Sequence, residues 1–478
     1  MQLYNTMSRQ IETLKPFNPP EVSIYSCGPT VYSEPHIGNW SAYIYWDILV
    51  RTLELSGYKV KRVINLTDVG HLVSDADEGE DKLVRKAAQE QVTTWQIAER
   101  YIASFMNGYE DLRLVKPTFF ARATDFIDQQ LELVRQLKNL GLTYQIDDGI
   151  YLDTSKVKDY GKLARLDVTG LKAGARVEFN VAKKNLTDFA LWKFSNGTKR
   201  DMEWVTPNDL LENALEEKLG FPGWHLECSA IIFSLLGERI DIHTGGIDHV
   251  PIHHTNEIAQ MTPITQFEVA QIWLHNRHLM VDGKKISKSL GNGYALSDLS
   301  ERGFSPIDFK MLILQGHFQT ESNFSFINLT AAANRLKHWR KLADLRHQLY
   351  QTDDGSDGKL TFLAIKKTIL ELANNNLNTP QILAQIDQIF NQADKLNLTQ
   401  VDRTSLNEFL RLIDQLLGLD LIDKSPDLSD AQKQLIQERN FARQQKDYKK
   451  SDKIRDQLLK QNIGLDDSHG QTIWYRLH

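Results

Sequence analysis

Cysteine is scarce in this sequence: Cys27 and Cys228 are the only two in 478 residues. A pair so far apart makes no disulfide framework, and a reducing compartment keeps both as thiols. No run of about 18 apolar residues occurs, so no membrane-spanning helix is expected. Positive charge is not in excess either. A net charge of −6 excludes a protein that coats nucleic acid indiscriminately, although it leaves room for a local basic patch. Residues 1–16 have no basic start, apolar stretch or small-residue cleavage site, so no secretory leader is expected and the cytoplasm is the expected location.

What is present is length and an ordinary globular composition, 41% hydrophobic and 25% charged. A chain of this size exceeds one core and implies three or four packed units. Glu21 to Cys27 reads as a strand, followed by a loop rich in Gly and Pro, a helix from about Trp40 to Leu55, and a second strand from Tyr58 to Leu66. This is a βαβ unit, whose ligand site lies at the carboxyl ends of its strands. The pattern breaks near residue 117 into short strands and Gly/Asp turns. It resumes with a helix near Cys228 to Leu236, a strand at Arg239 to His243 and a helix near His253 to Met261. Asp282-Gly283 marks a hairpin turn leading into a lysine-rich loop. From about 326 to 419 the periodicity is helical, interrupted by a polar link at 352–358. Residues 431–478 carry ten Lys and Arg against six Asp and Glu, a basic tail on an acidic chain.

The expected class is therefore α/β: a Rossmann-like parallel sheet split by an α+β insertion, followed by an all-α bundle and a small C-terminal module. The expected boundaries are 1–116 and 221–280 for the two halves of the nucleotide-binding domain, 117–220 for the insertion, 281–325 for the mobile loop and its surroundings, 326–425 for the bundle, and 426–478 for the basic module.

Two segments suit a nucleotide. In Pro35-His36-Ile37-Gly38-Asn39, the histidine can donate to phosphate oxygens, Gly38 admits close backbone approach, and the following helix start offers N–H groups to an anion. In Lys285-Ile286-Ser287-Lys288-Ser289, two lysines three apart on a flexible loop can neutralise charge moving onto a leaving pyrophosphate. Taken singly, each also fits a solvated helix entry or an exposed basic loop. Their placement in opposite halves of a split sheet is the stronger signal.

With these motifs the chain resembles the class I aminoacyl-tRNA synthetases, whose HIGH motif corresponds to His36–Asn39 and whose KMSKS loop corresponds to Lys285–Ser289. Further segments are similar to the cysteine-specific branch: Cys27-Gly-Pro-Thr-Val-Tyr32, Asn65-Leu-Thr-Asp68, Gly223-Trp-His-Leu-Glu-Cys-Ser-Ala230, Asp241-Ile-His-Thr-Gly-Gly246 and His253-His-Thr-Asn-Glu-Ile-Ala-Gln260. Gly174-Ala-Arg176, Asp188 to Lys193 and Gly470 to Trp474 extend the likeness over essentially the whole chain.

The resemblance implies a ligase that activates L-cysteine with ATP, with Mg(2+), and transfers it to the terminal ribose of tRNA(Cys). It implies one zinc ion per chain on Cys27, Cys228, His253 and Glu257. His253 and Glu257 are an i, i+4 pair on one helix face, but His254 competes by spacing, and only the resemblance selects between the two histidines. His36, Asn39, Lys285 and Lys288 would carry the ATP chemistry, with Gly38 beside the nucleotide. Thr67 and Trp224 would line the amino-acid pocket, and Asp248 would take the ammonium or a ribose hydroxyl. A monomer is expected. Asn39, Ser41 and Thr255 depart from residues frequent in the family. In the tail, Arg439, Arg443, Lys446, Tyr448, Arg455 and Trp474 offer the mixture of charge and aromatic faces that grips RNA bases. Two other readings are a ligase that passes cysteine to a small amine, which would not need the basic module, and a silent tRNA-binding relative, which should have lost Lys288, His36 or a metal ligand.

Overall fold

A computed structural model describes residues 1–69, 82–166, 182–195, 197, 200–213, 217–287, 290–349, 359–468 and 471–477. Lys288, Ser289, Gly174–Arg176, Gly470 and the link at 352–358 lie outside the described residues.

At the centre is a five-stranded, fully parallel sheet. Its strands are β1 (Glu21–Ser26), β2 (Lys59–Leu66), β3 (Phe119–Arg122), β4 (Ile240–Gly246) and β5 (Ala270–Asn276), in the order β5-β4-β1-β2-β3. Strand order reverses between β1 and β4, so a crevice opens there at the carboxyl edge, the usual ligand position in such sheets. The β1 and β4 ends are tied by the Cys27 amide donating to the Thr244 carbonyl at 3.1 Å. β3 begins three residues beyond the boundary expected at 116.

Helix α1 (Ile37–Leu55) joins β1 to β2 and is apolar around most of its circumference, as suits a helix enclosed by the sheet on one side and the bundle on the other. It starts one turn earlier than its periodicity predicts. His36, an uncommon cap, accepts from the Asn39 amide at 3.3 Å, while the Asn39 side chain accepts from the His36 amide at 3.1 Å. The motif thus forms the first turn of the helix rather than a loop before it.

Helices α2 (Leu226–Leu235) and α3 (His253–Thr265) flank β4. The insertion forms an antiparallel sheet from Thr143–Ile146, Gly149–Leu152, Phe189–Phe194, Leu219–Pro222 and Trp204–Val205, in that order. Its strand Leu219–Pro222 runs directly into the Gly223-Trp224 turn and α2, so the insertion sets where Trp224 and Cys228 sit. An N-terminal hairpin, Gln2–Asn5 with Gln10–Thr13, borders β5 through the Thr6 amide and the Trp273 carbonyl at 2.8 Å; sequence patterning gave no sign of it.

Leu279–Val281 and Lys284–Lys285 form the expected hairpin, with Asp282 and Gly283 at φ 49° and 72°, the left-handed pair a two-residue turn requires. The bundle comprises Phe326–Asp344, Leu363–Asn374, Thr379–Ala393 and Arg403–Leu417. The last module has two helices, Asp430–Gln444 and Tyr448–Leu459, and a terminal hairpin, Ile463–Ser468 with Gln471–Arg476. Among the described residues no helix is long and apolar enough to cross a membrane.

Candidate active site and metal centre

The carboxyl ends of four adjacent strands converge on one cleft of about 290 Å³. Cys27 follows β1, Asn65 and Thr67 end β2, Gly245 and Gly246 end β4, and Asn276 ends β5; all line it. So do His36, Gly38, Asn39, Trp224, Asp248, His253 and Lys285. Of the residues expected from sequence, Cys228 and Glu257 lie in the buried wall behind the cleft, and Lys288 is outside the described residues.

Close backbone approach shapes the cleft at Gly28, where a Cβ would stand 1.6 Å from the Asn65 carbonyl oxygen. No other residue fits there without moving the β1 and β2 ends apart. The two nucleotide motifs also meet. A Cβ at Gly38 would lie 2.9 Å from both the Ile286 Cδ1 and the His36 ring, and the Ile37 amide donates to the Tyr294 carbonyl at 2.8 Å. Lys285 is exposed at the rim.

Asp248 faces His249, His278 and Lys285. Burial pushes its carboxyl up, but these three neighbours prevail and hold it below the usual carboxylate range. The departures from the family pattern close local bonds: Ser41 donates to the Gly38 carbonyl and Thr255 to the Val250 carbonyl, both at 2.7 Å. Asn39 serves as the reciprocal half of the helix cap.

At the inner end, donor atoms of Cys27, Cys228, His253 and Glu257 all lie within 4.8 Å of one another. Cys228 is at 3.5 Å from His253 Nε2, and His253 Nε2 faces Glu257 Oε1 at 3.0 Å. Geometry admits a second set, Cys27, His243, His254 and Glu257, with Cys27 Sγ at 3.1 Å from His254 Nε2. The competition between His253 and His254 that spacing leaves open is therefore also present in space.

The donor chemistry fits a divalent cation. Burial pushes the Cys27 thiol up to about 11 and the Cys228 thiol well above its usual range, so both are protonated unless a cation takes them. Burial also opposes charge on Glu257, yet His243 and His253 hold its carboxyl well below the usual range. Glu257 Oε2 is engaged by His243 Nε2 at 2.7 Å, while Oε1 is buried and has only the poorly aligned contact of His253 Nε2 at 3.0 Å. A buried, ionised oxygen left open between two thiols and an imidazole is suited to metal ligation. Outer contacts orient the rings: His225 Nδ1 lies 2.9 Å from His253 Nδ1, and His275 bridges His254 and Thr6 at 2.8 Å each. Trp224 packs its ring 4.7 Å from that of His253.

One cleft residue has no role in the sequence reading. Glu227, within a quoted motif and adjacent to Cys228, is 2% exposed; Thr67 Oγ1 donates to its Oε1, as does Asn65 Nδ2 at 3.2 Å. Burial pushes its carboxyl up to about 8. An acidic residue in the first turn of α2 reads from sequence as a helix-dipole partner. Only the fold brings it against the β2 end.

The basic tail differs from expectation. Arg439 is 3% exposed and donates twice to Asp467, at 2.6 and 2.5 Å, and Arg443 pairs with the same carboxylate. Trp474 is 5% exposed, in the core of the module and bonded through its backbone to Gln348 at 2.9 Å. Arg439 and Trp474 build the module and are not free to meet RNA, whereas Arg443 stays exposed beside Asp467. Lys446, Tyr448 and Arg455 are exposed, and Phe441, which the sequence reading passed over, is 60% exposed nearby.

A parallel sheet split by an insertion, with a histidine-capped helix lying against a lysine hairpin, has the architecture of a class I aminoacyl-tRNA synthetase. The model of the tRNA synthetases class I (C) catalytic domain matches residues 13–334. A Mycobacterium tuberculosis methionyl-tRNA synthetase in complex with methionyl-adenylate shares the fold, with a TM-score of 0.60 over 84% of this chain and 93% of that one, at 15% identity. Cysteine–tRNA ligase 1 of Burkholderia lata is 38% identical over 99% of this chain and 97% of its own length. The cysteine–tRNA ligase of Treponema denticola is 35% identical over the whole of both chains. The chain belongs to the cysteine–tRNA ligase family.

Proposed function

We propose that the chain joins L-cysteine to tRNA(Cys) in two steps within this cleft. The carboxylate of cysteine attacks the α-phosphate of ATP, forming cysteinyl-AMP and releasing pyrophosphate. The terminal ribose hydroxyl of the tRNA then attacks the cysteinyl carbonyl, and AMP leaves. His36, Asn39 and the backbone at Gly38 hold phosphate and ribose at the start of α1. Lys285 and Lys288 draw negative charge toward the departing pyrophosphate, with Mg(2+) entering on ATP. Asp248, ionised at the nucleotide side of the cleft, accepts from a ribose hydroxyl. Positioning supplies much of the rate, since no general base is required if the carboxylate and α-phosphate are held in line.

Zinc on Cys27, Cys228, His253 and Glu257 would supply a soft Lewis acid that takes a thiol as thiolate and leaves a serine hydroxyl protonated. That difference exceeds what pocket shape gives between two side chains of one-atom difference. Thr67 and Trp224 close the pocket around the amino acid. The bundle and the basic module contact tRNA. The single observation that carries this reading is the cluster of two thiols, an imidazole and a carboxylate oxygen within 4.8 Å, at the inner end of the same cleft as the ATP motifs. ATP–pyrophosphate exchange checks it: cysteine should support exchange and serine should not, and equal rates would sink the selector role.

A further inference from the structure

Glu227 presents a buried carboxylate to the amino-acid end of the cleft, and its contacts are one-sided. The bonds from Thr67 Oγ1 and Asn65 Nδ2 both land on Oε1, and the same oxygen lies 4.0 Å from Cys228 Sγ. Oε2 takes none of these contacts, and Glu227 is among the residues lining the cleft. Once ionised, a carboxyl so enclosed calls for a cation. Among the described residues no lysine or arginine ion-pairs with it, and the one histidine that favours its charge, His253, belongs to the proposed metal set, whereas the other cleft carboxylate, Asp248, has His249, His278 and Lys285 around it at the nucleotide end.

The substrate proposed for this site carries such a cation close to its sulfur. In cysteine the ammonium is three bonds from the thiol, so its nitrogen lies about 3–4 Å from the sulfur in any staggered rotamer. A thiol received beside Cys228 brings the ammonium within reach of a carboxylate 4.0 Å from that residue's sulfur. We propose that Glu227, steadied by Thr67 and Asn65, is the residue that binds the substrate ammonium, leaving Asp248 to the ribose. Thr67 then acts on the amino acid through Glu227, as a positioning residue. The pocket thus tests two groups at once, the thiol at the metal centre and the α-amine at Glu227, and rejects thiols that lack the amine.

This inference rests on the cysteine-activating reading above, and calorimetry separates the two. Zinc-loaded full-length chain is titrated with L-cysteine, L-serine and 3-mercaptopropionate, which retains thiol and carboxylate but lacks the amine. Wild type should bind cysteine about 10- to 100-fold more tightly than 3-mercaptopropionate, the span expected of one charge-assisted contact. Glu227→Gln should lose that preference, its affinity for 3-mercaptopropionate staying within about twofold of wild type and its zinc content remaining at one per chain. Glu227→Asp, which withdraws the charge by one methylene, should fall between them and serves if the amide variant does not fold. An undiminished preference in either folded variant, or an equal loss for both thiols, overturns the assignment of Glu227. Wild type that binds serine as well as cysteine overturns the reading of the site itself.

Discussion

Lys310→Met is expected to destabilise the chain by about 1–2.5 kcal/mol, less than Asp47→Asn does. Lys310, in the helix Pro306–Leu314, is fully buried and donates to Asp47 at 2.8 Å and to the Leu112 carbonyl at 3.1 Å. Burial pushes its amine down to about 8 even with Asp47 beside it. Asp47, in the middle of α1, also accepts from Arg51 and from the Val115 amide, each at 2.7 Å. Arg51 reaches on to the carbonyls of Asp414 and Gln415 in the bundle. Removing Lys310 leaves Asp47 with one cation and one N–H, so the loss is that of a charge-assisted bond, about 1.5–3 kcal/mol, offset in part because methionine fills the lysine stem's space. Removing the charge of Asp47 leaves a buried Lys310 facing a half-buried Arg51, the stronger penalty of about 3–5 kcal/mol. Urea unfolding of the single and double variants measures both, with a coupling of at least about 1.5 kcal/mol expected between them. Because this cluster joins the catalytic helix to the bundle, tRNA charging should fall further than cysteine-dependent pyrophosphate exchange. Lys310→Met as stable as wild type, or less stable than Asp47→Asn, would refute the reasoning.

Asp344 should make stability fall as pH rises. Its buried carboxyl is pushed up to about 6, above an unfolded value of 3.8, so the folded chain binds the proton more tightly between those values and ionisation above about pH 6 opposes folding. Asp344→Asn keeps the acceptor for the Arg476 amide, and its stability advantage over wild type should grow from pH 4 to pH 7 by at most about 3 kcal/mol; an advantage independent of pH contradicts this. Arg439→Ala leaves Asp467 with Arg443 as its one cation and should loosen the last module by about 3 kcal/mol. Limited proteolysis should then cut near 430–476 while cysteine activation continues; an intact module with weakened tRNA binding would instead make Arg439 an RNA contact.

Legibility from sequence followed how local each determinant was. β1, β2 and α1 were readable because apolar runs, a Gly/Pro loop and 3.6-residue periodicity each lie within one segment. The first turn of α1 is less legible because histidine is an uncommon cap and the reciprocal bond of Asn39 shows only in the fold. The metal cluster draws on three distant segments, so spacing alone could not choose between His253 and His254, and resemblance decided. Glu227 was invisible for the same reason: its meaning comes from Thr67 and Asn65, some 160 residues away. In the tail, counting charges gave the basic balance correctly, but Arg439 and Trp474 turned inward because the small module needs them for its core and its internal ion pair. Composition cannot distinguish a buried arginine from one that faces RNA.

The central claim is that a zinc ion on two protein thiolates receives the sulfur of the substrate. X-ray absorption at the zinc edge, on the full chain with and without L-cysteine, tests this most directly. Two sulfur ligands at about 2.3 Å are expected in the free protein and three when cysteine is added, with no change on adding serine. A sulfur count that stays at two with cysteine bound would contradict it.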